Sequence, residues 1–214
     1  MIKKALLIGG GGHCHSVLDS LLSSAQYSEI GIIDKKENIG KRILGIPVIG
    51  SDEELSELYR QGYSDVFVTI GSIGDPTLRV NIFHLVEQIG FHTPNVIDSS
   101  AIVSNHAKLD QGIFVAKGAV VNAGAHLHRG IIINTSAIIE HDCVIGEFSH
   151  IATGSVLSGR VTVGSESHIG AGTVIKQGVK IGSHTMIGMG SVVLQDVGDD
   201  VIAFGHPCKE VRQR

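Results

Sequence analysis

Cut into sextets from Ala101, the chain reads AIVSNH, AKLDQG, IFVAKG, AVVNAG, AHLHRG, IIINTS, AIIEHD, CVIGEF, SHIATG, SVLSGR, VTVGSE, SHIGAG, TVIKQG, VKIGSH, TMIGMG, SVVLQD. The third column is aliphatic 16 times in succession, from Val103 to Val193, without an insertion. The first column is mostly Ala, Ser, Thr or Cys, with Ile or Val as the exceptions. A helix repeats at 3.6 residues and a strand at two, so neither produces a period of six; a β-solenoid does. Three sextets close a triangular coil of 18 residues, and successive coils hydrogen-bond at ~4.8 Å. Third-column side chains then point into a prism, first-column residues fill beside them, and sixteen sextets give about five coils.

Before Ser100 the pattern is different. Short apolar runs, Ala5–Ile8, Ile30–Ile33 and Val66–Ile70, read as strands. They alternate with helical patterns at Val17–Leu22, at Asp52–Arg60 behind the cap residue Ser51, and at Thr77–Ile89. Strands alternating with helices predict a small parallel α/β sheet. The boundaries that follow are an α/β domain over 1–97 and an all-β domain over 98–214, the latter including a C-terminal tail.

Composition narrows the class. Charged residues make up 18% of the chain against 43% hydrophobic, which fits a globular fold. A net charge of −4 gives no bulk attraction to nucleic acid or an acidic membrane. With aromatics at 4% and no Trp, the core must be filled by aliphatic side chains in a regular arrangement. Cys14, Cys143 and Cys208 lie far apart without metal-ligand spacing, which fits a reducing cytoplasm. No apolar stretch approaches the ~20 residues of a membrane helix.

The uninterrupted hexapeptides, the GGGGH run ending at His13, the segment NTSAIIEHDCVIGEFSHIATG and the terminal GHPCKEV carry a resemblance over nearly the whole chain. They resemble the hexapeptide-repeat sugar-nucleotide acetyltransferases of the sialic acid O-acetyltransferase-like (NeuD/PglD-type) family. The resemblance implies a Rossmann-like sugar-nucleotide domain before a left-handed parallel β-helix, a homotrimer with active sites between subunits, and acetyl-CoA as co-substrate. The left hand departs from the usual right-handed crossover rule.

Attack on a thioester by an amine or hydroxyl needs a base at neutral pH, a role that suits histidine. His141 occupies an outward turn position, the fifth column, with Asp142 beside it to orient the imidazole. The family's base lies in this motif, so the resemblance makes His141 the base and Asp142 its partner, where the family often carries the longer Glu. It also puts His150 near the acetyl group, polarising its carbonyl. His168 shares the second column with His150, 18 residues later, so the two should stack. That pair raises zinc, because some β-helix trimers are carbonic anhydrases; no third ligand completes such a site, and no metal is expected. Cys143 follows the motif directly but sits in the inward-filling first column, which argues for direct transfer in a ternary complex over an acyl-cysteine.

By motif position, Gly159, Ala171 and Met189 line the groove for acetyl-CoA, with Asn134 near the site and Lys209 placed to meet CoA phosphates. In the first domain Gly9–Gly12 follow a strand and precede a helix, where backbone N–H groups receive phosphate. The full dinucleotide fingerprint is absent, since its third glycine position is Cys14, which argues for a nucleoside diphosphate sugar over NAD. The family pattern puts substrate contacts at Gly11, Gly12 and His13. Asp34 closes the second strand where an acid can meet ribose or base, Lys35 is placed to neutralise phosphate, and Gly71 borders the same crevice; His15 and Lys36 read as surface residues.

The expectation is a cytoplasmic enzyme that N-acetylates a UDP-, dTDP- or GDP-linked 4-amino-4,6-dideoxyhexose for surface glycan synthesis. O-acetylation of a sialic acid is the runner-up. A non-catalytic β-helix scaffold and a zinc carbonic anhydrase are the readings from other classes.

Overall fold

The computed structural model describes residues 3–214; the first two residues of the expected N-terminal domain lie outside the described residues. The chain divides into two compact units, one running to Ser72 and resuming over Thr77–Ser99, the other formed by Ile73–Pro76 and Ser100–Arg214.

Among the described residues the first unit is a five-stranded sheet with three α-helices. Its elements are β1 (Lys4–Ile8), α1 (Gly12–Ser24), β2 (Glu29–Ile33), β3 (Arg42–Ile43), β4 (Ile46–Gly50), α2 (Leu55–Arg60), β5 (Tyr63–Val68) and α3 (Thr77–Ile89). The order is β3-β4-β2-β1-β5, with β4, β2, β1 and β5 parallel. Ala5 to Ile8 are all buried because both faces of β1 are covered. Leu6 and Ile8 pack with Leu55, Ile82 and Val86 from α2 and α3, while α1 contacts β1 as well. The chain leaves β1 toward β2 on one side and reaches β5 on the other, so the carboxyl end of β1 is a switch point where open α/β sheets hold ligands.

Three local elements differ from the sequence expectation. The helix expected from Val17 begins at Gly12, so most of the glycine run belongs to its entry. The strand expected to reach Ile70 stops at Val68, where the Thr69 hydroxyl donates to Ile8 and Gly9 carbonyls and ties the strand end to the loop. The hairpin of β3 and β4 has no counterpart in the sequence pattern. Before α2, Ser51 closes a capping box with Glu54, opening a 3₁₀ turn over Asp52–Glu54.

In the second unit every sextet contributes one two-residue strand from its second and third columns, sixteen in all from Ile102–Val103 to Val192–Val193. All but those of the last coil pair in parallel with the strand 18 residues on, as Val120 with Ile138 and His150 with His168. The strands therefore stack into three faces. Face one holds Ile138–Ile139 and Val156–Leu157, face two His126–Leu127 and Val144–Ile145, face three Ile132–Ile133, His150–Ile151 and His168–Ile169. Face three is extended by Val201–Gly205 and the antiparallel Cys208–Gln213, which carries the exposed Lys209. Third-column residues from Val115 to Val193 are at most 2% exposed and form one continuous aliphatic core.

First-column hydroxyls do more than fill space. Ser149, Ser155, Ser167 and Thr173 donate to the carbonyls of Gly164, Gly170, Gly182 and Gly188, at 2.7–3.2 Å, so a buried polar ladder runs up the prism fully partnered. At the corners the sixth column turns in the left-handed region, with φ of 64° at Gly118 and 58° at Asp142, which is why glycine recurs there. Among the described residues no helix is long and apolar enough to cross a membrane.

Candidate active site

His141 stands on the corner between faces one and two, and half of its side chain is exposed. Its Nδ1 lies 2.9 Å from Asp142 Oδ2, so the shorter acid does reach the ring. A carboxylate only accepts, so Nδ1 carries the proton and Nε2 presents its lone pair outward, the tautomer a general base needs.

Two glycines make room for this dyad. A Cβ at Gly124, one coil below Asp142, would strike the Asp142 carboxylate. A Cβ at Gly159, one coil above His141, would strike Nε2 and come within 2.6 Å of Cε1. The Nε2 end of the imidazole thus lies over the Gly159 backbone, and Gly159 is buried beneath it. Gly159, expected to line the acetyl-CoA groove, lies directly under the His141 ring.

Ala171 and Met189 stand elsewhere. Both follow face-three strands, so they stack on the corner between faces three and one, with Asn134 on the same corner two coils below Ala171. Met189 is 81% exposed, a large apolar side chain left in solvent by the single chain. His150 is buried on face three, its Nε2 3.3 Å from Asn134 Nδ2. Asn134 Oδ1 accepts from the Thr135 N–H, so its amide nitrogen faces the imidazole and donates to Nε2; the neutral ring then bears its proton on Nδ1. His168 packs edge-on to His150, with centroids 4.9 Å apart, as the 18-residue spacing implies. Within one chain the candidate residues therefore fall into two groups on two corners: His141, Asp142 and Gly159 on one, and Asn134, His150, Ala171 and Met189 on or beside another.

Cys143, directly after the dyad, is fully buried and donates to the Ser158 carbonyl, and burial pushes its thiol up to about 11. Such a thiol is neutral at physiological pH and a poor nucleophile.

In the first unit a cleft of about 410 Å³ opens at the carboxyl ends of β1 and β2, lined by Gly9, Asp34, Lys35, Lys36, Ser51 and Asp52 among others. It takes in Asp34 and Lys35 but not Gly11, Gly12, His13 or Gly71. Asp34 also has a structural role. Its Oδ2 accepts from the Gly10 N–H at 3.1 Å and its Oδ1 from the Lys35 N–H, latching the glycine loop to the end of β2. A Cβ at Gly10 would sit 2.5 Å from that carboxylate, so glycine is required there by close approach. Gly11 and Gly12 have open space around them at the start of α1. His13 packs against Gly71, and burial, with the Arg79 guanidinium as the second cause, lowers it to about 4, so it offers a neutral imidazole. Lys36, read from sequence as a surface residue, lines the cleft and pairs with Glu53 at 2.7 Å. Asp52 is a cleft residue that the sequence pattern does not single out; burial and then the Asp34 charge raise its carboxyl. Its signal is its position just after β4, but that strand is itself invisible in the pattern.

Two family models match the chain. The PglD N-terminal domain matches residues 4–86, and the bacterial transferase hexapeptide (six repeats) matches residues 142–177 and 160–195. No curated protein matches. Among solved structures, the chain is similar to a histidine-to-asparagine mutant of perosamine N-acetyltransferase from Caulobacter crescentus, in complex with CoA and GDP-perosamine. The two share 36% identity at a TM-score of 0.93, over 100% of this chain and 99% of that one. It is also similar to the acetyltransferase domain of PglB from Neisseria gonorrhoeae in complex with acetyl coenzyme A, at 34% identity and a TM-score of 0.92, over 99% of this chain and 100% of that one. WeeI from Acinetobacter baumannii, 20% identical with a TM-score of 0.85 over 99% of this chain and 100% of that one, shares the fold. The β-helix is left-handed, as in the hexapeptide transferases.

Proposed function

The chain belongs to the NeuD/PglD-type family of hexapeptide-repeat sugar acetyltransferases, and on that premise we propose the chemistry its residues perform. It is an acetyl-CoA-dependent N-acetyltransferase acting on a nucleotide-linked amino sugar, of the UDP-, dTDP- or GDP-4-amino-4,6-dideoxyhexose class. The single observation that carries the mechanism is the His141–Asp142 dyad over the bare backbone of Gly159.

His141 Nε2 accepts the proton released by the attacking amine as the new C–N bond forms and the thioester C–S bond breaks. Asp142 holds the ring in that tautomer and stabilises the imidazolium, while the proton returns to the leaving sulfur. His150, with its proton on Nδ1, is the donor assigned to the acetyl oxygen. Transfer is direct, which is supported by the neutral, inward Cys143 and by the relative that holds CoA and GDP-perosamine together.

The α/β unit is assigned the nucleotide sugar, with Gly11, Gly12 and the neutral His13 at the entry of α1, Gly71 beside His13, and Lys35 in the cleft next to Asp34. The β-helix is assigned acetyl-CoA, with small or exposed residues at Ala171 and Met189. A homotrimer joins the two corners that one chain keeps apart, and the enzyme is assigned to the cytoplasm.

The test is product analysis after incubation with acetyl-CoA and a panel of nucleotide-linked amino sugars and sialic acids. N-acetylation of one amino sugar is expected, reduced ~10²–10⁴-fold in His141→Ala, the range for loss of a general base. A product acetylated on oxygen, or an unchanged rate in that variant, contradicts the reading.

A further inference from the structure

On the corner between faces two and three, away from the His141 corner, three potential metal ligands converge. Asp110 lies in the fourth column of its sextet and His128 in the same column one coil later, while His126 projects from the adjoining face-two strand. Asp110 Oδ1 is 3.2 Å from His126 Nε2, and Oδ2 is 3.1 Å from His128 Nδ1. The rings lie with centroids 4.0 Å apart, and one ligand atom from each of the three residues falls within 4.8 Å of the other two. All three side chains are partly buried, between 24% and 33% exposed.

Hydrogen bonding alone accounts for two protons held between three groups. The spacing also approaches what a metal ion requires. Tetrahedral zinc with bonds of ~2.0–2.1 Å to nitrogen and oxygen sets its ligand atoms ~3.3 Å apart. The two nitrogen-to-oxygen separations, each to its own carboxylate oxygen, are close to that length, and with all three ligand atoms within 4.8 Å a small turn of the carboxylate and rings brings them around one ion. The placement is rigid, because the pairing of Lys108 with His126 and Leu109 with Leu127 fixes the register of the two coils. Two imidazoles and one carboxylate form the donor set of zinc and related ions, and three protein ligands leave one position for water. Lys108 Nζ lies 4.0 Å from Asp110 Oδ1, so a cation already stands beside the carboxylate, and the Lys108 side chain is exposed to solvent, with room to move aside.

We propose that Asp110, His126 and His128 form a binding site for one divalent transition-metal ion, zinc foremost, which clamps the first coil of the β-helix to the second. The site stands on the third corner, apart from both the His141 corner and the corner of Ala171 and Met189, and is therefore proposed to be independent of acetyl transfer.

The test uses the full-length chain, free of any histidine tag and stripped with EDTA. Titration with Co²⁺, followed by visible absorption, and with Zn²⁺, followed by calorimetry, is expected to give one ion per chain. Binding weakens at least ~100-fold in His126→Ala, His128→Ala and Asp110→Asn, at or beyond the upper end of what losing an outer-shell partner costs. The exposed His106→Ala variant retains full affinity. Zinc raises the melting temperature of the parent and of His106→Ala but not of His128→Ala, which separates loss of the site from loss of the fold. Absence of stoichiometric binding to the parent chain, or binding that survives His126→Ala and His128→Ala, overturns the proposal.

Discussion

The imidazole of His141 owes its placement to what is missing around it. Asp142 fixes its tautomer, but Gly159 fixes its height above the next coil, and any side chain there takes the volume that Nε2 occupies. Gly159→Ala tests this. The ring is a side chain that can rotate away, so the strain is relieved cheaply, and the melting temperature is expected to move little. Turnover should fall by about 10–100-fold, because a base displaced by an ångström no longer meets its proton in line. Unchanged turnover would mean that the floor beneath the ring has no part in positioning it. A sequence reading sees the spacing of 18 that stacks residues 141 and 159; what it cannot see is that the ring folds down onto the glycine, since that depends on a rotamer.

At the scale of elements, the two halves are legible to different degrees for a physical reason. In the β-helix each strand is two residues long and each corner is built alike, so burial is periodic and Val103 to Val193 betray every strand. In the α/β unit burial is decided by packing across the sheet. The β3–β4 hairpin turns at Leu44–Gly45, both at positive φ, inside the run RILGIPVIG, whose apolar residues show no alternation and whose proline sits on an edge pair. The start of α1 is masked by glycines of low helix propensity. The Asp110, His126 and His128 cluster is in principle readable, since residues 110 and 128 share a column, but a fourth-column acid and a second-column histidine meet only once the corner angle is known. The first turn of α1 also sets a pH dependence. An unfolded histidine titrates near ~6.5, whereas His13 is lowered to about 4 by burial and by Arg79. Its contribution is fully present above about 6.5 and is lost as the pH falls toward 4, because the unfolded chain then binds a proton the folded one refuses. Urea midpoints measured between pH 7.5 and 5 should fall less steeply in His13→Asn than in the parent; equal slopes would contradict the assignment.

At the scale of the whole molecule, the central claim is that the active site is divided. His141 and Gly159 occupy the corner between faces one and two, while Ala171 and Met189 occupy the corner between faces three and one. A triangular prism cannot fold one corner onto another, so a single chain cannot bring them together. A closed ring of three copies can, with each interface built from unlike corners of two neighbours. The 81% exposure of Met189 is the surface such an interface or its cofactor would cover. Mixing two inactive variants tests this most directly: His141→Ala, which lacks the base, and Ala171→Trp, which fills the opposite corner. Each alone should be inactive. Unfolded and refolded together in equal amounts, they should regain about a quarter of the parent rate, because in a randomly assembled ring about one interface in four joins two intact corners. A mixture no more active than its components, while the parent recovers under the same treatment, would place the whole site within one chain and contradict the account.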